Sequence, residues 1–162
     1  MGQQTAGSKA GSDTSQASRR VIDLLNRQVA NCNVLYVKLH DYHWNVKGPN
    51  FYTLHAKFEE LYDEVTLFMD EVAERVLALG GKPLSTMISY LAETTLSEAK
   101  GDEDAEAMVR SLIQDLSQVA AELKETAEIA DEAGDLPTHD MLVGKQEQLE
   151  KHVWMLEAFL AS

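Results

Sequence analysis

His55, Glu59, Asp70 and Glu74 are the residues whose types and spacing could do metal chemistry. They form two pairs, each four residues apart, within "LHAKFEELYDEVTLFMDEVAE" (Leu54–Glu74). Imidazole and carboxylate are ligands for divalent metals. A spacing of four puts both members of a pair on one helical face. On a single helix, however, the pairs cannot share an ion. The helical rise separates Glu59 from Asp70 by about 16 Å and His55 from Glu74 by about 28 Å. Metal–ligand bonds are about 2 Å long.

The angular positions agree even though the axial ones do not. With His55 at zero, Glu59 falls at about 40°, Asp70 at about 60° and Glu74 at about 100°. This strip lies beside the apolar stripe and also carries Thr66, Leu67, Ala73 and Leu77. Small and apolar residues among ligand types predict a partner helix. Suppose that partner is the same helix of a second copy, antiparallel across a two-fold axis. Residues then meet whose numbers add to a constant. His55 with Glu74 and Glu59 with Asp70 share one total, so an axis near residues 64 and 65 brings both pairs into register. Two sites per dimer follow, each built by two chains.

His43 ends the preceding helix, and the turn "NVKGPN" (Asn45–Asn50) can fold it back near His55. The predicted site is His43, His55 and Glu59 from one chain with Asp70 and Glu74 from the other. The competing reading of each pair alone is a solvated helical face. Mixed imidazole and carboxylate ligands suit iron, manganese or zinc and disfavour copper(I). The chain has no Glu-x-x-His, so the usual di-iron site inside one bundle is not expected.

The elements that must position these residues are helices. Ile22, Leu25, Val29, Cys32, Leu35 and Leu39 recur at helical spacing and predict a helix over about 18–47. "KGPN" breaks it. A second helix is predicted over 51–79, with Leu54, Phe58, Leu61, Val65, Phe68, Val72, Val76 and Leu79 inward, ended by "GGKP". A long connection over 84–101 contains "MISYLAE", readable as a short helix. Third and fourth helices are predicted over 102–133 and 137–160, separated by "GDLP". Residues 1–17, rich in Gly, Ser, Ala, Thr and Gln, read as a mobile tail preceding one domain over 18–162. Four long helices with one long crossover predict an all-α, ferritin-like four-helix bundle with a short extra helix between helices two and three.

The chain has 162 residues and a formal net charge of −13, which opposes binding to nucleic acid or anionic membranes and suits a cation-attracting surface. No apolar run reaches the length of a membrane span. The single cysteine, Cys32, cannot form an internal disulfide, and the cytoplasm is the expected compartment. His40 and His152 read as structural or solvated, while His139 is undecided.

The segment "HDYHWNVKGPNFYTLHAKFEELYDEVTLFMDEVAERVLALGGKP" strongly resembles the Dps family of mini-ferritins, and the likeness continues into "DMLVGKQEQLEKHVWMLEAFL". The resemblance covers about residues 20–160. It implies an inter-subunit ferroxidase centre on His43, His55, Glu59, Asp70 and Glu74, in a hollow dodecamer of two-fold dimers. Such a shell oxidises Fe²⁺, often preferring hydrogen peroxide, stores ferric mineral and limits oxidative damage. The family often has Asp where Glu59 stands. Trp44 resembles a tryptophan beside the family's site; quenching radicals and simple packing are both open. Asp131 and Asp140, and more weakly Asp135, resemble carboxylates of the family's iron-entry pores; helix-end carboxylates are the other reading. Glu60, Asp63 and Glu64 could face the cavity and nucleate mineral, or form a solvated face, and Glu122, Glu125 and Glu128 carry the same two readings. The rival function is a DNA-compacting nucleoid protein, since some family members bind DNA through basic tails. Residues 1–18 here carry only Lys9 and Asp13, so direct DNA binding is not expected.

Overall fold

The structure is a computed structural model. It describes residues 7–161, with side chains from residue 16 onward. It contains α1 (Gly7–Asn45), α2 (Phe51–Ala78), α3 (Met87–Glu93), α4 (Ala105–Glu132) and α5 (Leu136–Leu160), with no strand among the described residues. The predicted bundle is therefore observed, and the short helix in the crossover is "MISYLAE".

The first helix begins earlier than its apolar periodicity predicts. Residues 7–17, predicted as a mobile tail, belong to α1, while residues 1–6 lie outside the described residues. The segment lacks proline, and extending an existing helix costs far less than nucleating one. Apolar periodicity does not reveal such an extension.

The predicted stripes supply the core. Every inward residue named for α2 up to Val76 is buried, as are Met108, Leu112, Leu116, Leu123 and Ala127 of α4. On α1, Leu25, Val29, Cys32, Leu35 and Leu39 are buried and Ile22 is partly so. α1 packs along α2 and α4 along α5, while α3 and α4 also contact α1. Two helix ends close alike. Gly80 and Gly134 take positive φ, and Gly81 N–H and Asp135 N–H each donate back across the last turn, to Val76 O (2.9 Å) and Ala130 O (2.8 Å). Only glycine takes this left-handed conformation freely.

A polar network around buried Gln28 and Asn31 fixes the crossover. Asn31 Oδ1 accepts from Thr94 Oγ1 (2.8 Å) and Thr95 N–H (3.0 Å), and its Nδ2 donates to Glu122 Oε2 (2.9 Å). Gln28 Nε2 and Thr95 Oγ1 also donate to Glu122, at 2.8 and 2.6 Å. Glu122 thus ties the chain after α3 to α1 and α4. No buried side-chain polar atom lacks a partner among the described residues.

Candidate metal centre

The turn after α1 carries the geometry. Tyr42 and Val46 are buried and anchor the end of α1, with Val46 N–H donating to Tyr42 O at 2.9 Å. Gly48 takes φ 105°, and Phe51 N–H donates to Gly48 O as α2 begins. The last turn of α1 is thereby laid against the first turn of α2.

His43 and His55 meet there, as predicted from the turn. Their rings stack with centroids 3.6 Å apart and planes 17° from parallel. His43 Nδ1 lies 2.8 Å from His55 O, and His55 Nδ1 lies 2.7 Å from His43 O. A carbonyl oxygen only accepts, so each Nδ1 carries the hydrogen. Each neutral ring then keeps its lone pair on Nε2, the form a metal requires. Phe51 stacks on His55 (5.0 Å), and Tyr62 sets its edge against His43 (5.4 Å).

Glu59 is exposed one turn beyond His55. Burial raises the Tyr62 phenol pKa, and the charges of Glu59 and Asp63 raise it further. The four-residue spacing puts Glu59 about 40° around α2 from His55, on the same side of the helix. Asp70 and Glu74 are also exposed but lie further along an unbroken α2; Asp70 is about 22 Å from His55 along the axis. One chain therefore brings together His43 and His55, leaves Glu59 exposed one helical turn away, and leaves Asp70 and Glu74 further apart. The same strip of α2 exposes Leu67 (74%) between Glu59 and Asp70 and Leu77 (59%) beyond Glu74, an apolar surface that one chain leaves uncovered.

Aromatic rings surround the pair, which the sequence reading missed. His40 stacks on Tyr62 at 3.9 Å and contacts Tyr36 at 4.3 Å, with Trp44 edge-on at 5.2 Å. The four-residue spacing of Tyr36, His40 and Trp44 was the available signal. Trp44 is 70% exposed, so it does not pack at the end of its own bundle.

The other acids divide. Asp131 and Asp140 are exposed, and His139 Nδ1 lies 3.0 Å from Asp140. Asp135 is engaged otherwise: it caps α5 and receives Arg75 Nη2 at 2.6 Å. Asp63 is exposed. Glu60 and Glu64 approach His152, with donor atoms of the three within 4.8 Å of one another. His152 is buried on α5 and meets Glu64 at 2.8 Å and Lys57 at 3.1 Å, a cluster that links residues far apart in the chain.

A family model described as "Ferritin-like domain" matches residues 22–162. The DNA protection during starvation protein of Brevibacillus brevis is 57% identical over 137 residues, covering 85% of this chain and 92% of that protein. This chain belongs to the Dps family of ferritin-like proteins. Crystal structures of Dps proteins match the fold of this Dps chain. One from Bacillus brevis gives a TM-score of 0.88 at 54% identity, over 90% of this chain and 97% of that one. The Vibrio cholerae O1 protein, described as a member of a broad superfamily of ferritin-like diiron-carboxylate proteins, gives 0.86 at 34% identity, over 90% and 91%. No helix among the described residues of the Dps chain is long and apolar enough to cross a membrane.

Proposed function

We propose that this mini-ferritin oxidises Fe²⁺ at centres shared between two subunits and stores the ferric product inside a hollow dodecamer. The observation that carries the reading is the reciprocal lock of His43 and His55, which leaves both Nε2 lone pairs free, with Glu59 one helical turn along α2 from His55. Asp70 and Glu74 of a second subunit complete the set. Trp44, exposed and in contact with His40, stands at the edge of the centre as a one-electron donor.

The ligands explain the direction of the chemistry. Three carboxylates and two neutral imidazoles favour Fe³⁺ over Fe²⁺, because the higher charge gains more from anionic ligands. Hydrogen peroxide is the preferred oxidant: two Fe²⁺ each lose one electron, and one peroxide takes both and is reduced to two waters with two protons. Oxygen is the slower alternative. Exposed Asp131 and Asp140 serve as iron-entry carboxylates and Glu60 and Asp63 as acids facing the stored mineral, whereas Asp135 positions α5. The compartment is the cytoplasm. The relatives named for DNA protection fit protection by removing iron and peroxide. A net charge of −13 per chain repels a polyanion, so direct DNA compaction has no support here.

Mixed assemblies test the sharing. His43→Ala and Asp70→Ala subunits should each oxidise Fe²⁺ poorly alone. Co-assembled at random, they should regain about a quarter of the intact sites, because each mixed dimer rebuilds one of its two centres. No recovery, with assembly intact, would refute a shared centre.

A further inference from the structure

We propose that Glu60 and Nδ1 of His152 form a second divalent-cation site in each subunit, with Glu64 orienting the imidazole and Lys57 as the resident cation that an incoming metal displaces. The inference stands on the α2/α5 face and does not depend on the shared centre. Lys57, Glu60 and Glu64 lie about 140–200° around α2 from His55, beyond the strip that carries Glu59, Asp70 and Glu74.

The tautomer of His152 decides the geometry. Lys57 Nζ lies 3.1 Å from Nδ1, and an ammonium has no lone pair. Lys57 donates, so Nδ1 holds the lone pair and Nε2 holds the hydrogen. That hydrogen is given to Glu64 Oε2 at 2.8 Å. The order is carboxylate, imidazole, cation: the arrangement by which proteins hold histidine against a metal, with an ammonium in the metal's place. The same ammonium meets Glu60 Oε1 at 2.8 Å. Glu64 has its own counter-charge, since its carboxylate faces Lys145 and opposes the lowering of that amine's pKa by burial.

The site is open to exchange on one side only. His152 is 5% exposed, which fixes the ring. Glu60 is exposed and can swing, and the Lys57 stem borders a groove lined by Leu54, Met155, Leu156 and Phe159, which gives the side chain somewhere to go. Donor atoms of Glu60 and His152 lie within 4.8 Å of one another, so a side-chain rotation of Glu60 brings both to bonds of about 2.1 Å to one ion. One imidazole and one carboxylate completed by water suit Fe²⁺, Co²⁺ or Zn²⁺ rather than Mg²⁺.

Cobalt(II) provides the probe. Full-length protein carrying His43→Ala and Asp70→Ala removes the shared centre and is titrated calorimetrically with Co²⁺. One ion per subunit should still bind. Adding Lys57→Met should tighten that binding about two- to fivefold, because the competing ammonium is gone. Adding Glu60→Gln, a surface change, should abolish it. Glu64→Gln should weaken it about 10–100-fold without moving the melting temperature. Anomalous scattering from Co²⁺ in crystals of the Lys57→Met protein should place the ion at His152 Nδ1. Absence of binding in both the background and the Lys57→Met protein, or binding indifferent to Lys57→Met and Glu60→Gln, would overturn the proposal. Failure of the mixed-assembly experiment would leave these outcomes untouched.

Discussion

His43 and His55 hold each other through backbone carbonyls: each ring's Nδ1–H is bonded to the main chain of the other residue, at 2.8 and 2.7 Å. Replacing one side chain therefore leaves the anchor of the other in place. His43→Ala keeps the carbonyl at position 43 and with it the orientation of His55. The variant should lose one ligand and about 10–100-fold in Fe²⁺ oxidation rate. Free imidazole should restore part of that rate, since the space beside an oriented His55 remains. Stopped-flow absorbance of the ferric product, with and without imidazole, measures both effects. An unchanged rate in His43→Ala would remove this residue from the centre.

Lys38 and Asp115 form the most buried ion pair among the described residues, with Nζ and Oδ2 2.6 Å apart and side chains 3% and 11% exposed. Burial raises the Asp115 pKa, against the opposing pull of Lys38. Desolvation thus outweighs the attraction as seen from the carboxylate. Asp115→Ala leaves a buried ammonium unpaired and should cost about 3–5 kcal/mol. Replacing both residues, Lys38→Met with Asp115→Leu, should restore most of the loss. Thermal melting at one fixed protein concentration compares the three proteins. A double variant as unstable as the single one would contradict the account.

The two helical hairpins were legible because each apolar residue of α2 and α4 repeats at helical spacing between strong stops such as "GGKP" and "GDLP". The pairing of His43 with His55 was legible because a tight Gly-Pro turn leaves few places for the ends of its flanking helices. The tautomer lock was not, since backbone carbonyls carry no sequence signal. The Lys57–His152–Glu64 cluster was also hidden, because it joins α2 to α5 across 88 and 95 residues of sequence and each member looks solvated within its own helix. Asp135 read as one pore carboxylate among three, yet its partner Arg75 lies 60 residues away. Asp70 and Glu74 enter the proposed site only through symmetry, which a single chain does not display.

Glu103 links the loop before α4 to α1. Its carboxylate accepts from Lys100 N–H (2.8 Å), Gly101 N–H (2.9 Å) and Tyr42 Oη (3.0 Å). Burial alone would raise its pKa, but these hydrogen bonds together outweigh that and hold it down at about 2. A carboxyl lowered on folding stabilises the protein above its unfolded pKa of about 4.3. That contribution is lost as pH falls through the folded value. Glu103→Gln should therefore flatten the decline in melting temperature between about pH 4.5 and 2 while lowering stability at neutral pH. Identical acid limbs for the two proteins would show that Glu103 carries no such linkage.

Gly80 and Gly81 sit side by side after α2 but are required for different reasons. Gly80 needs its positive φ of 80°, with open space around it. Gly81 needs the absence of a side chain: a Cβ there would lie 2.7 Å from Ile22 Cγ2 and 3.0 Å from Val76 Cγ1. Gly80→Ala should cost about 1–2 kcal/mol through backbone strain. Gly81→Ala should cost about 1–3 kcal/mol through overpacking between α1 and the end of α2. The two costs have different remedies. Ile22→Leu removes the branched methyl that meets the new Cβ, so it should recover part of the loss in Gly81→Ala and none in Gly80→Ala. Melting temperatures of the four single and double variants separate the two causes, and equal recovery in both backgrounds would refute the packing explanation.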